Sequence, residues 1–189
     1  SYSAYDVENL SDCDDTNLMV KALNSNDRDF NVGAAGTTMR FLTAFLSKVV
    51  GEWTITGTER MKNRPIKVLV DALNALGARI EYMEKEGYPP LRIFGSALQG
   101  GEISLPGNVS SQYISAILMI APLTENGVTL HLEGAIISRP YIHITLQLME
   151  QYGVRASWTE NTIKVLPQEY KPIRFTVESD WSAASYWYE

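Results

Sequence analysis

Apolar residues recur at helical spacing from Gly36 to Val50, where Met39, Leu42, Phe45, Leu46 and Val49 predict one buried stripe. A strand is predicted at Trp53–Thr56, then a helix opening at Pro65 and closing on Gly77, then extended runs over Ala78–Met83 and Leu91–Phe94. The same order returns downstream. Ser110–Ala121, rich in Ile, Leu and Met, predicts a helix and Val128–Leu132 a strand. Pro140–Met149 predicts a second helix, closed by Gly153, and Val154–Thr159 and Thr162–Leu166 predict two more strands.

This recurrence is an internal repeat. The Ala-Leu-Asn that ends Asp15–Asn24 reappears 50 positions later at the end of Pro65–Asn74, and Pro140–Met149 is a weaker third copy. Gly77 and Gly153 are 76 positions apart, and the same spacing relates Arg79 to Arg155 and Tyr82 to Trp158. Three related units are expected, the first lacking its opening helix and strand, so the natural polypeptide is expected to extend upstream. Beyond Pro172, Ile173–Val177 reads as a strand and Ser179–Trp187 as the capped start of a helix without a body, which sets the same expectation downstream.

The composition narrows the function. Of 189 residues, 45% are hydrophobic, enough for a core, and the net charge of −6 argues against a nucleic-acid binder. One cysteine and two histidines allow neither an internal disulfide nor a structural zinc set, and no apolar run has the length of a membrane span. A reducing cytoplasm fits. Cys13, among Asp12, Asp14 and Asp15, is expected to be an inert thiol with its pKa raised by the acids, which themselves read as the acidic start of a helix.

Four polar corners carry candidate chemistry, each where a turn or strand gives way to a helix. Gly33-Ala-Ala-Gly36-Thr-Thr-Met-Arg40 offers unpaired N–H groups at the positive end of a helix dipole, as phosphate and carboxylate sites do; an ordinary glycine turn with a threonine cap has the same pattern. Glu59-Arg-Met-Lys-Asn-Arg-Pro65 supplies Arg60, Lys62 and Arg64, able to grip an anion or merely to pair with Glu59 or Asp71. Val109-Ser-Ser-Gln112 has one hydroxyl more than a helix cap needs, and Ser138-Arg-Pro-Tyr141 occupies the next corner of the same unit. His143 reads as a surface or capping-region side chain.

Together, in this order and spacing, these four motifs closely resemble the 5-enolpyruvylshikimate-3-phosphate synthase family from about Asn9 to the last residue. The resemblance implies an α/β fold of repeated βαβαββ units around a pseudo-threefold axis, this chain being one of two such domains. Residues 1–172 would form the three-repeat domain with its first repeat incomplete, and 173–189 the crossover into the second. It also implies transfer of enolpyruvyl from phosphoenolpyruvate to the 5-hydroxyl of shikimate 3-phosphate, in chorismate and aromatic amino-acid biosynthesis, with no metal or organic cofactor. By motif match, Ser110, Ser111 and Ser138 would hold the phosphate of shikimate 3-phosphate, with Gln112, Arg139 and Tyr141 beside its ring. Gly36, Arg60 and Gln112 would meet phosphoenolpyruvate, and glyphosate would occupy that same place; Arg40 and Arg64 would be structural.

The match has departures: Ala34 stands where the family usually has asparagine, Phe41 where it often has proline, and His143 where many members have aspartate. The resemblance places the acid–base groups outside this chain, which alone would be inactive, and makes the full enzyme a monomeric cytoplasmic protein with no nucleic-acid or membrane partner. The alternatives are the sister enolpyruvyl transferase acting on a UDP-sugar in cell-wall synthesis, whose loop cysteine Cys13 is not placed to supply, and a non-catalytic phospholigand-binding module.

Overall fold

The structure, a computed structural model, describes residues 7–178; the helix start expected at Ser179 lies outside them. Strand β1 (Val7–Glu8) leads to α1 (Asp14–Asn24), and two units that share one order of strands and longer helices follow. The first comprises β2 (Asp29–Asn31), α2 (Gly36–Lys48), β3 (Gly51–Thr56), the short α3 (Glu59–Lys62), α4 (Lys67–Ala75), β4 (Arg79–Tyr82) and β5 (Leu91–Gly95). The second comprises β6 (Gly101–Pro106), α5 (Ser111–Ile120), β7 (Val128–Glu133), α6 (Arg139–Gln151), β8 (Ala156–Thr159) and β9 (Thr162–Val165). A last strand, β10 (Phe175–Thr176), pairs with β1 in parallel.

Each unit is a βαβαββ fold with one four-stranded sheet, ordered β2-β3-β5-β4 in the first and β6-β7-β9-β8 in the second. In each, the first two strands are parallel and the last lies antiparallel between the second and third. Three strands per unit therefore point the same way, and the two longer helices of a unit lie in the crossovers between them. A crossover helix starts where a parallel strand ends. All four polar corners accordingly lie at the carboxyl ends of parallel strands, at one end of their sheet.

The repeat is visible in its stop signals. After α4, Gly77 takes φ +100°, its N–H donates to Asn74 O (3.1 Å) and that of Ala78 to Leu73 O (3.0 Å). After α6, Gly153 takes φ +86°, with Gly153 N–H to Glu150 O and Val154 N–H to Met149 O, both 2.9 Å. Both are left-handed glycine caps with paired return bonds, a conformation a side chain at either glycine would strain. The expected first unit is represented by α1, which reaches β2 without the two strands that follow α4 and α6.

The core lies between the sheets and helices, with Leu42, Ile55, Leu69, Leu73, Leu91, Ile93, Ile114, Ile117, Leu130 and Ile163 at 1% exposure or less. Burying each such side chain stabilises the fold by roughly 1.5–3 kcal/mol. The predicted α2 stripe needs one correction: Met39, Leu42 and Leu46 are buried, but Phe45 turns outward, 36% exposed. Pro65 is a second correction, because α4 begins at Lys67 behind the cap Ile66, leaving Pro65 in the turn before the helix.

Candidate functional site

At the first corner the cap of α2 is Ala35, which has no side-chain acceptor to offer. Thr38 is served from another helix: its N–H donates to Asp15 Oδ1 (3.0 Å) and its hydroxyl to Asp15 O (2.7 Å). The N–H groups of Gly36 and Thr37 have no acceptor among the described residues, so the positive end of α2 keeps two donors for a ligand.

The second corner closes on the first. Thr58 N–H donates to Gly33 O (3.0 Å), and Thr58 Oγ1 caps α3 by accepting from Met61 N–H (3.4 Å). One turn of helix then carries the chain so that the Arg64 guanidinium lies against Gly36, where a Cβ would fall 2.7 Å from Arg64 Cζ. Arg60 is exposed on α3. Lys62 is occupied elsewhere, paired with Glu84 (3.0 Å) and Glu59 (3.5 Å). Neither arginine has an acidic partner among the described residues, and the one packed against Gly36 is Arg64.

The third corner reaches across to both. Gln112, in the first turn of α5, accepts from Arg40 Nη1 through Oε1 (2.9 Å) and donates through Nε2 to Thr37 Oγ1 (3.0 Å). Next to it, the Tyr113 hydroxyl donates to Pro65 O (2.7 Å). Ser110 is the cap of α5, its Oγ accepting from Gln112 N–H (3.4 Å), as a serine cap does. The Ser111 hydroxyl has no partner among the described residues.

At the fourth corner, Ser138 stands at the cap of α6 but makes no side-chain capping bond, so its hydroxyl is available. Ile137 N–H donates to Gly107 O (3.3 Å), tying this corner to the end of β6, and Ser115 and Thr145 join α5 to α6 through their hydroxyls at 2.7 Å. Tyr141 is 64% exposed. Arg139 lies over the Trp158 ring, 5.1 Å from its centroid, and reaches Asn161 Oδ1 at 3.5 Å. The exposed His143 stacks on the same ring at 4.6 Å, the surface role expected of it.

Cys13 departs from expectation. It precedes α1 as its cap, fully exposed, and hydrogen bonds from Ser11 and Thr16 draw its pKa down to about 7. Hydrogen bonds to the sulfur favour the thiolate, and these set the direction of the shift. Asp14 and Asp15 do sit in the first turn of α1. Among the described residues no group of three metal-ligating side chains is assembled, and no helix is long and apolar enough to cross a membrane.

The sequence profile of the family described as EPSP synthase (3-phosphoshikimate 1-carboxyvinyltransferase) matches residues 7–189. The chain is 62% identical over 182 residues to a Bacteroides fragilis protein named 3-phosphoshikimate 1-carboxyvinyltransferase, covering 96% of this chain and 44% of that protein. A Vibrio cholerae protein of the same name is 49% identical over 158 residues, covering 82% of this chain and 37% of its own length. In structure, the chain is similar to EPSP synthase from Acinetobacter baumannii, with a TM-score of 0.73 at 25% identity over 86% of this chain and 36% of that one. The chain thus spans less than half the length of the relatives it matches.

Proposed function

The chain belongs to the EPSP synthase family, and on that premise we propose that it forms the shikimate 3-phosphate-binding side of an enolpyruvyl transferase. The whole enzyme transfers enolpyruvyl from phosphoenolpyruvate to shikimate 3-phosphate in the cytoplasm, on the way to chorismate. Residues 1–172 are the repeat domain of that enzyme and 173–189 lead into a second domain of the same polypeptide, the whole acting as a monomer.

The observation that carries this reading is the set of unpaired donors at one end of the two units. Ser111 and Ser138 keep their hydroxyls, Gly36 and Thr37 their N–H groups, and Arg64 its charge. Ser110, Ser111 and Ser138 receive the phosphate of shikimate 3-phosphate, with Gln112, Arg139 and Tyr141 around the ring. Gly36, Arg60 and Gln112 receive phosphoenolpyruvate, with the Arg64 guanidinium beside them at the α2 terminus. A two-pronged guanidinium beside helix N–H groups suits a carboxylate or phosphate and strengthens as water leaves.

General acid–base catalysis needs groups within hydrogen-bond reach of the moving proton. The described corners supply arginines, hydroxyls and amides, but no carboxylate poised for that role, so the proton-transfer groups come from the second domain. Assaying phosphate release from phosphoenolpyruvate and shikimate 3-phosphate tests this. The full-length polypeptide is expected to turn over and the 189-residue chain not to; turnover by the chain alone contradicts the assignment.

A further inference from the structure

Arg40 is the only charged side chain in the buried interior of the described residues, 9% exposed. It sits one turn into α2, behind Gly36, and its Nη1 donates to Gly36 O and to Gln112 Oε1, both at 2.9 Å. The guanidinium carbon lies 5.3 Å from the centroid of the Tyr113 ring, and Nε is buried without an acceptor. Every one of these neighbours is neutral. No carboxylate pairs with Arg40 among the described residues, although the chain carries 22 acidic residues against 16 lysines and arginines. Asp15, the acid that α1 brings to this end of α2, is engaged by the N–H and hydroxyl of Thr38.

A buried cation offset only by dipoles costs stability, and such charges are ordinarily paired or replaced by apolar groups. The geometry points to Arg40 as a positioning residue whose counter-charge is the substrate anion bound at the α2 terminus. This deepens the functional reading above and rests on it. By holding Gln112 Oε1, Arg40 fixes which way the amide faces, so that Nε2 donates to Thr37 Oγ1. The Thr37 hydroxyl, with that lone pair used, keeps its proton for an acceptor beside the Gly36 and Thr37 N–H groups. Arg40 thus sets three things at once: the amide's orientation, the hydroxyl's polarity and a positive potential behind the helix terminus.

A strut and a stored charge have opposite signatures. Removing a strut lowers stability and weakens all ligands together; removing an uncompensated buried charge leaves stability intact and weakens the anion that would neutralise it.

The test uses the full-length polypeptide with Arg40→Met and Arg40→Lys, read by thermal unfolding without ligand and by steady-state kinetics. Arg40→Met is expected to melt no lower than wild type while KM for phosphoenolpyruvate rises about tenfold or more, the scale of one lost charge-assisted interaction. KM for shikimate 3-phosphate, whose ring also meets Gln112, should rise clearly less than that for phosphoenolpyruvate, and Arg40→Lys, which keeps the charge, should recover part of the phosphoenolpyruvate loss. A lower melting temperature for Arg40→Met, or equal losses for both substrates, overturns the inference. A wild type that neither binds nor turns over phosphoenolpyruvate overturns the functional reading and this inference with it.

Discussion

The Arg64 guanidinium packs on the α-carbon of Gly36, leaving no room for a methyl group: a Cβ there would stand 2.7 Å from Arg64 Cζ. Glycine is required at this position by a close approach, since Gly36 is not among the glycines with positive φ. Gly36→Ala should push the Arg64 head group outward and raise KM for phosphoenolpyruvate about tenfold, as one charge-assisted contact is lost. The unfolding midpoint should barely change, because a half-buried arginine moves easily and alanine favours the helix by about 0.5–1 kcal/mol over glycine. Kinetics beside urea unfolding checks both halves.

Both arginines of the second corner should matter in the same assay. Arg60→Ala and Arg64→Ala are each expected to weaken phosphoenolpyruvate by about 1.5–3 kcal/mol, the range for a hydrogen bond to a charged group. An Arg60→Ala loss well under about 1 kcal/mol, as for an exposed surface charge, would take Arg60 out of the site.

Tyr113 ties the start of α5 to the turn before α4 through one hydroxyl, donated to Pro65 O at 2.7 Å with the ring 8% exposed. Tyr113→Phe keeps the packing and the ring under Arg40 but leaves that carbonyl without its donor. A loss of about 0.5–1.5 kcal/mol in urea unfolding is expected, with m unchanged.

Repetition makes much of this fold legible in the sequence. The glycine caps at Gly77 and Gly153, the strands before and after them and the helices α2, α5 and α6 follow from periodicity and stop signals. Strand β2 was not visible because Asp-Phe-Asn is too short to show alternation. β6 does alternate, with Ile103 and Leu105 inward, but Gly100 before it, Gly101 at its start and Pro106 at its end disguise it as a loop. α3 is a single turn, and it brings Arg64 onto Gly36, a close approach that the letters Glu-Arg-Met-Lys-Asn-Arg do not announce. The Arg40–Gln112 bond joins residues 72 positions apart and belongs to helix packing, which no local pattern records.

Cys13 gives a pH-dependent readout away from the corners. Its pKa is lowered to about 7 by hydrogen bonds from Ser11 and Thr16, so the thiolate dominates above that pH and is lost below it. Alkylation by iodoacetamide should reach half its maximal rate near pH 7, and Thr16→Ala should move that midpoint upward. A midpoint at the ordinary thiol value in the wild type would mean the hydrogen bonds do not hold in solution.

The central claim is that the serine corners of α5 and α6 capture the phosphate of shikimate 3-phosphate. Calorimetric titration of the chain with that ligand, wild type beside Ser110→Ala/Ser111→Ala, tests it most directly. Binding by the wild type that the double substitution weakens by about 1–3 kcal/mol is the predicted result. Binding that the double substitution leaves unchanged would contradict it and place the phosphate elsewhere.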